Sequence, residues 1–197
     1  MVFLRSVGGD FGPVIYGERI RLRTPQLSDY AQWAELRARS RAFLTPWEPT
    51  WPADDLSRTA FRRRVRRYVQ EVREDLAYPL FAFAEDTGEL LGGVTLGNVR
   101  RGVTQSCAMG YWVGEPHARC GHMTRAVEAV LDFAFARLRL HRVEAACLPA
   151  NRASIRLLEK SGFTQEGYAR RYLCINGIWQ DHLLYAMLHD DPRPPAR

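Results

Sequence analysis

The sequence predicts an α+β fold: a mixed, mostly antiparallel, twisted sheet with helices packed against it. Three observations predict it. Asn176-Gly177 and Asp86-Thr-Gly-Glu89 each join two apolar runs, which is a hairpin signal. Twice in the second half a short apolar run precedes a segment of helical period: Ser106–Val113 before Gly121–Arg137, and Arg142–Cys147 before Asn151–Ser161. The first half carries a long amphipathic stripe from Asp54 to Ala77.

Taken in order, Val14–Arg23 reads as one strand, with Ile15, Ile20 and Leu22 facing a core and Pro25 ending it. Ser28 or Asp29 caps a helix to Arg39, whose apolar side is Tyr30, Ala31, Ala34 and Leu36. Phe43–Pro52 is a loop dense in proline and tryptophan. In the next helix Leu56, Ala60, Phe61, Val65, Tyr68, Val69, Val72 and Leu76 recur at steps of three and four. Arg62, Arg63, Arg64, Arg66 and Arg67 cover its other side, either as a solvated face or as a contact for RNA or an acidic partner. Leu80–Glu85, Leu90–Asn98 and Ser106–Val113 are strands. Ala126, Val127, Val130, Leu131, Ala134, Phe135 and Leu138 line one face of the helix Gly121–Arg137. Asn151 caps the last helix and Gly162 ends it; strands Phe163–Ile175 and Trp179–Leu188 close the chain. The sum is about seven strands and about four helices, ordered β-α-α-β-β-β-α-β-α-β-β. Residues 14–189 are expected to form one domain, between an N-terminal arm (1–13) and a loose proline-rich tail (190–197).

A chain of 197 residues, 46% of them hydrophobic, can bury a sizeable core. No apolar run reaches the roughly 20 residues of a membrane helix, and the start lacks a signal-peptide layout. A cytoplasmic protein without membrane contact is expected. Cys107, Cys120, Cys147 and Cys174 lie far apart with no CxxC pair, so they read as free thiols. Net charge is +6, and of the 28 basic residues Lys160 is the only lysine. The surplus disfavours basic partners and suits an anionic ligand or a ribonucleoprotein neighbourhood; direct nucleic-acid readout is not expected.

The chemistry concentrates in Tyr111-Trp-Val-Gly-Glu-Pro-His-Ala-Arg-Cys-Gly-His-Met-Thr-Arg125, where a strand ends and a helix begins. Helix first turns attract acids, because their free N–H groups present positive potential. This one offers Arg119, His122 and Arg125, with no acid until Glu128. Each misplaced cation costs about 0.3–1 kcal/mol unless an anion sits at the helix mouth. A phosphate or pyrophosphate on the amides of residues 119–124 accounts for the pattern, and Gly121 would let backbone approach it. The alternative is an ordinary tight turn with solvated arginines. The GxxxxGK[ST] and GxGxxG phosphate loops are absent, and His117, Cys120 and His122 lack a fourth metal ligand, so no metal is expected.

This segment resembles the acetyl-CoA-binding motif of the GNAT acetyltransferase superfamily, usually Gln/Arg-x-x-Gly-x-Gly/Ala. Here it stands as Ala118-Arg-Cys-Gly-His-Met123, with Arg119 beside the position where a polar residue is missing. Asn151-Arg-Ala-Ser-Ile-Arg-Leu-Leu-Glu-Lys-Ser-Gly-Phe163 is similar to the second GNAT element. Phe43-Leu-Thr-Pro-Trp-Glu-Pro49, Asn98-Val-Arg-Arg-Gly102, Glu166-Gly-Tyr-Ala-Arg-Arg-Tyr-Leu173 and Gly177-Ile-Trp-Gln-Asp-His182 resemble the ribosomal-protein-alanine N-acetyltransferase branch, the RimJ/RimL type. The likeness covers roughly residues 14–188. It implies a GNAT-like fold and acetyl-CoA as cosubstrate, held by Trp112, Val113, Gly114, Arg119, Cys120, Gly121, His122, Met123, Thr124, Asn151 and Ser154. It implies an acceptor that is a protein N-terminus, such as that of a ribosomal protein, and an enzyme working as monomer or homodimer.

An N-terminal amine has a pKa of roughly 7.7–8.0, so a strong dedicated base is unnecessary. Attack on the thioester needs a preplaced N–H donor for the developing oxyanion, and Val113 is the candidate. Ser154 is assigned by resemblance as the thiol-side proton donor; the plain reading is a first-turn serine bonded to backbone. Asn151 binds pantetheine amides, caps its helix, or does both. Glu48 either holds the incoming ammonium and relays its proton or is an exposed loop carboxylate. Trp47, Trp51 and Phe43 either wall the acceptor groove or anchor the loop; Tyr168, Tyr172 and His182 are further groove candidates, and Tyr111 and Trp112 read more as core. A small-molecule amine acceptor, or a catalytically silent acyl-CoA-binding module, stands as the alternative.

Overall fold

Eight strands form one sheet in the computed structural model, which describes residues 11–193. The strands are β1 (Val14–Gly17), β2 (Ile20–Arg23), β3 (Tyr78–Ala84), β4 (Leu90–Arg100), β5 (Ser106–Val113), β6 (Arg142–Cys147), β7 (Thr164–Ile175) and β8 (Ile178–Leu188). Their order is β1-β2-β3-β4-β5-β6-β8-β7. Every neighbouring pair is antiparallel except β5–β6. The eighth strand arises because Val14–Arg23 is a hairpin, with Gly17 paired to Ile20. Arg19 makes the turn at a φ of 57°, without the Asn-Gly signature that would announce it. Asn176 (φ 45°) and Gly177 (φ 81°) turn the last hairpin with both central residues left-handed, as a type I′ turn requires.

The helices are α1 (Tyr30–Arg39), α2 (Arg41–Leu44), α3 (Arg58–Arg73), α4 (His122–Asp132, continued by a π-helical turn Phe133–Arg137) and α5 (Arg152–Lys160). The short α2 occupies the start of the expected proline–tryptophan loop. The expected helix 54–77 is trimmed at both ends. Ser57 caps α3 by accepting from the Ala60 amide at 3.1 Å, and Asp75 leaves the helix at a φ of 55°. Asp54 and Asp55, freed from the helix, pair with Arg63 and Arg64. Arg64 therefore does not lie on the solvated side. Its guanidinium stands 4.9 Å over the Trp33 ring. At α5 both ends follow expectation: Asn151 Oδ1 accepts from the Ser154 amide (3.1 Å), and Gly162 (φ 93°) closes a Schellman motif. In that motif the Phe163 amide reaches Leu158 O and the Gly162 amide reaches Glu159 O.

Strand alternation divides the core into two faces. Leu80 and Ala82 of β3 join a large cluster with Met123, Val127 and Val130 of α4 and Ile155 and Leu158 of α5. Phe81 and Phe83 turn the other way, onto Trp33 and Leu36 of α1 and Phe61 and Val65 of α3. The sheet is thus clamped between α1/α3 and α4/α5. All four cysteines are free. No helix among the described residues is long and apolar enough to cross a membrane. The expected arm and tail lie mostly outside the described residues.

Candidate active site

The site begins where the one parallel pairing stops. β5 and β6 are joined only at Ser106–Arg142, Cys107–Val143 and Ala108–Glu144. Beyond these, β5 follows β4 as far as Val113, while β6 follows β8 as far as Cys147, and a wedge opens between them. Gly114 N–H bonds to Leu91 O on the β4 side (2.9 Å), so strand alternation aims the Val113 N–H into the wedge. Gly92 permits this close approach of β4 to β5: a Cβ there would meet Trp112 O at 2.2 Å.

At the wide end of the wedge a turn at Glu115–His117 leads into the mouth of α4. Arg119 (φ 64°) and Gly121 (φ 79°) both take the left-handed conformation, which gathers successive amides into a concave nest. No side chain caps α4 and no acid stands in its first turn. A Cβ on Gly121 would meet nothing nearer than the Arg125 guanidinium, at 3.9 Å, so the space over this turn is open. Arg125 reaches Glu18 at 3.5 Å and His117 reaches Glu89 at 3.5 Å. Burial, then the Arg125, His117 and Arg19 charges, hold His122 below its ordinary pKa. The mouth of α4 thus presents uncapped amides, the feature by which helix N-termini attract anions.

The expected cofactor residues fall into distinct places. Arg119 and Cys120 are exposed on the nest, and Thr124 is half-buried in the first turn. Met123 is buried in the α4 core, leaving only its amide for a ligand. Trp112 turns its ring to the α1/α3 face, edge-on to Phe81. Gly114 is a glycine for packing: a Cβ there would lie 2.4 Å from Leu36 Cδ1. Asn151 spends its carbonyl on capping, which leaves its NH₂ group. Ser154 makes a hydrogen-bonding approach to Tyr111, and burial pushes the Tyr111 phenol well above its ordinary pKa despite that approach. Tyr111 packs against the large core cluster, as its reading as core anticipates, with its phenol on the Ser154 side.

A pocket of about 570 Å³ brings three segments together. Pro46 and Trp47 come from the α2–α3 connection, Leu148–Ala150 from the β6–α5 loop, and Tyr168, Arg171, Trp179, Gln180 and Asp181 from the β7–β8 hairpin. Trp47 and Tyr168 line it as expected. Tyr172 packs on His182 with ring centroids 5.9 Å apart, and His182 is 2% exposed, its Nδ1 bonded to Gln180 O, so its ring is a core group. Asp181 was not anticipated: it accepts from the Tyr168 hydroxyl and the Arg171 amide, and these hold its carboxyl below the ordinary range. Glu48 is neither free nor simply solvated. Both its oxygens bind the Arg37 guanidinium (2.7 Å each), and Trp51 Nε1 donates to it at 2.7 Å. A larger hollow of about 830 Å³, between Arg67–Ala77 and Thr95–Arg100, is lined by none of the candidate catalytic, cofactor or acceptor residues.

Residues 19–164 match the acetyltransferase (GNAT) domain. The chain belongs to this family. Like its relatives, this GNAT protein is an N-acetyltransferase. It is 34% identical over 178 residues to the probable N-acetyltransferase YjcK of Bacillus subtilis, covering 90% of this chain and 98% of YjcK. It is 32% identical over 183 residues to the ribosomal protein uS5-alanine N-acetyltransferase of Escherichia coli, covering 89% and 94%. Among solved structures, Mycobacterium smegmatis RimJ in complex with CoA-disulfide superposes with a TM-score of 0.86 at 32% identity, covering 90% of this chain and 88% of that one. The Vibrio fischeri ribosomal-protein-S5-alanine acetyltransferase gives 0.84 at 30%, covering 92% and 99%.

Two outcomes are expected of the helix mouth. In a chemical-shift titration His122 has its midpoint below an ordinary histidine, and coenzyme A raises it, because a bound anion favours the charged ring. Affinity for coenzyme A accordingly rises as pH falls through that midpoint; a midpoint unmoved by coenzyme A removes His122 from the site. By isothermal titration, Gly121→Glu weakens coenzyme A binding about tenfold or more beyond the Gly121→Ala control, which carries the same backbone strain without the charge. Equal affinities in the two variants would remove the nest.

Proposed function

We propose that the enzyme transfers the acetyl group of acetyl-CoA directly to the N-terminal α-amine of a protein, one beginning with alanine or serine, such as a ribosomal protein. The observation that carries this reading is the Val113 N–H aimed into a wedge whose wide end is an amide nest. The uS5-alanine name of its relative and the pocket built from Trp47 and Tyr168 support a polypeptide acceptor.

The open, left-handed turn at Gly121 fits a diphosphate, which the amides of residues 119–124 would hold with Arg119 and Thr124 beside them. Asn151 would offer its NH₂ group to the pantetheine arm. The coenzyme supplies an activated thioester; the protein supplies placement and charge. Val113 would donate its N–H to the carbonyl oxygen as negative charge develops there, in a setting where a donor needs no reorganisation. Ser154 would protonate the departing sulfur. Tyr111 stands behind it as a phenol that keeps its proton at any physiological pH. Cys147, at the edge of the wedge, has its thiol pushed up to about 11 by burial, so it is not the thiolate that an acyl-enzyme route needs. Direct transfer in a ternary complex is the route we propose. The acceptor would enter past Trp47, Tyr168 and Tyr172. Its amine is partly neutral near pH 7.5, so water can carry its proton away.

Ser154→Ala is expected to lower kcat by about tenfold to a hundredfold while leaving coenzyme A affinity nearly unchanged. An equal loss in both would make the residue a binding group alone. Mass spectrometry of protein N-termini from cells with and without the enzyme should show acetylation lost from one or a few Ala- or Ser-initiated proteins. If all N-termini are unchanged while the purified enzyme acetylates a small amine, the acceptor class is wrong.

A further inference from the structure

A buried arginine sits between the two halves of this site, and neither the diphosphate nest nor the proton donor uses it. Arg37, in the last turn of α1, has a side chain only 8% exposed and forms a bidentate pair with Glu48. Its guanidinium lies 4.0 Å from the Trp51 ring and 5.0 Å from the Trp112 ring, and its Nε has no hydrogen-bond partner. Stability alone is a poor reason for such a group, since desolvation of a buried pair consumes most of its Coulombic gain. What the pair supplies is a fixed geometry: a planar fork admits one orientation of the carboxylate.

That geometry spans the site. The Glu48 carbonyl accepts from the Asn176 amide at 2.9 Å, so the loop containing Trp47 is tied to the tip of the β7–β8 hairpin. Trp112, whose ring also meets the guanidinium, immediately precedes Val113. The same turn of α1 also supports the cofactor loop, because Leu36 packs over Gly114 and Ser40 Oγ accepts from the Glu115 amide at 2.9 Å.

We infer that Arg37 is a positioning residue for the acceptor. Through Glu48 it sets the Trp47 loop and the hairpin tip at one distance from the Val113 end of β5, and so aims the amine at the thioester carbonyl. Glu48 then serves as the anchor of the acceptor loop, its oxygens committed to Arg37 and Trp51, and the proton of the amine leaves by another route. This rests on the acceptor groove proposed above.

The test compares Arg37→Lys, Glu48→Gln and Trp51→Phe with the unaltered enzyme. Acetyl-CoA affinity is read by calorimetry, and steady-state kinetics use a panel of short Ala- and Ser-initiated peptides together with one small primary amine. Trp51→Phe keeps a smaller aromatic ring at this position and removes the hydrogen bond to Glu48, so it reports on the loop even if the Arg37 variant fails to fold. Expected are acetyl-CoA affinities within about twofold of the parent and peptide kcat/KM values lower by about tenfold to a hundredfold, mainly through kcat, as misplacement by an ångström produces. Tryptophan emission should shift in Arg37→Lys as the stacked guanidinium leaves both rings. The inference is overturned if the three variants keep the parental peptide kcat/KM, or if acetyl-CoA affinity falls in step with it, as a purely structural role would give. Should the parent itself turn over only the small amine, the peptide-acceptor reading fails. The same kinetic split measured on that amine then decides the role of Arg37.

Discussion

Three backbone pairings hold β5 to β6, and the absence of a fourth makes the site. Each strand is claimed by its outer neighbour, β5 by β4 and β6 by β8, and sheet twist carries the two apart. A strand edge released inside a fold must find partners for its amides and carbonyls, since an unsatisfied buried group costs about 1–3 kcal/mol. An extended ligand with amides of its own meets that demand. The parted strands therefore leave backbone donors and acceptors facing the wedge before any side chain is considered.

Around this opening the helices divide the work by their ends. α4 presents its amino end, uncapped and opened by two left-handed residues, as a seat for negative charge. α5 presents its first turn, where Asn151 closes the cap and Ser154 is brought to Tyr111. α1 presents its carboxyl end, where Leu36, Arg37 and Ser40 touch the loops on both sides of the reaction centre. The sheet faces behind them are filled by two separate hydrophobic clusters, so the site stands at the edge of a rigid layer.

What the chain revealed without coordinates was local. The helix mouth at Gly121 was visible because acids are missing where a first turn wants them. The Asn151 cap and the Asn176-Gly177 turn carry their geometry in residue type. What stayed hidden was non-local. Arg37 sits in the run Arg37-Ala-Arg-Ser-Arg41, and only the fold brings the Trp51 and Trp112 rings within reach of its guanidinium. Tyr111 and Ser154 meet across two elements far apart in sequence. Asp181 reaches Tyr168 as the diagonal neighbour of its partner Leu183, a contact that only the hairpin's register defines. The hairpin of β1 and β2 escaped because Glu18-Arg19 is a turn pair without a turn signature.

One surface feature bears on an enzyme that modifies amines. Nearly all the positive charge is carried by guanidinium groups, which keep their protons and so cannot attack a thioester. Lys160, exposed at the last turn of α5, is the one side-chain amine in the chain. The catalyst thus gains an electropositive surface while presenting a single side-chain amine of its own.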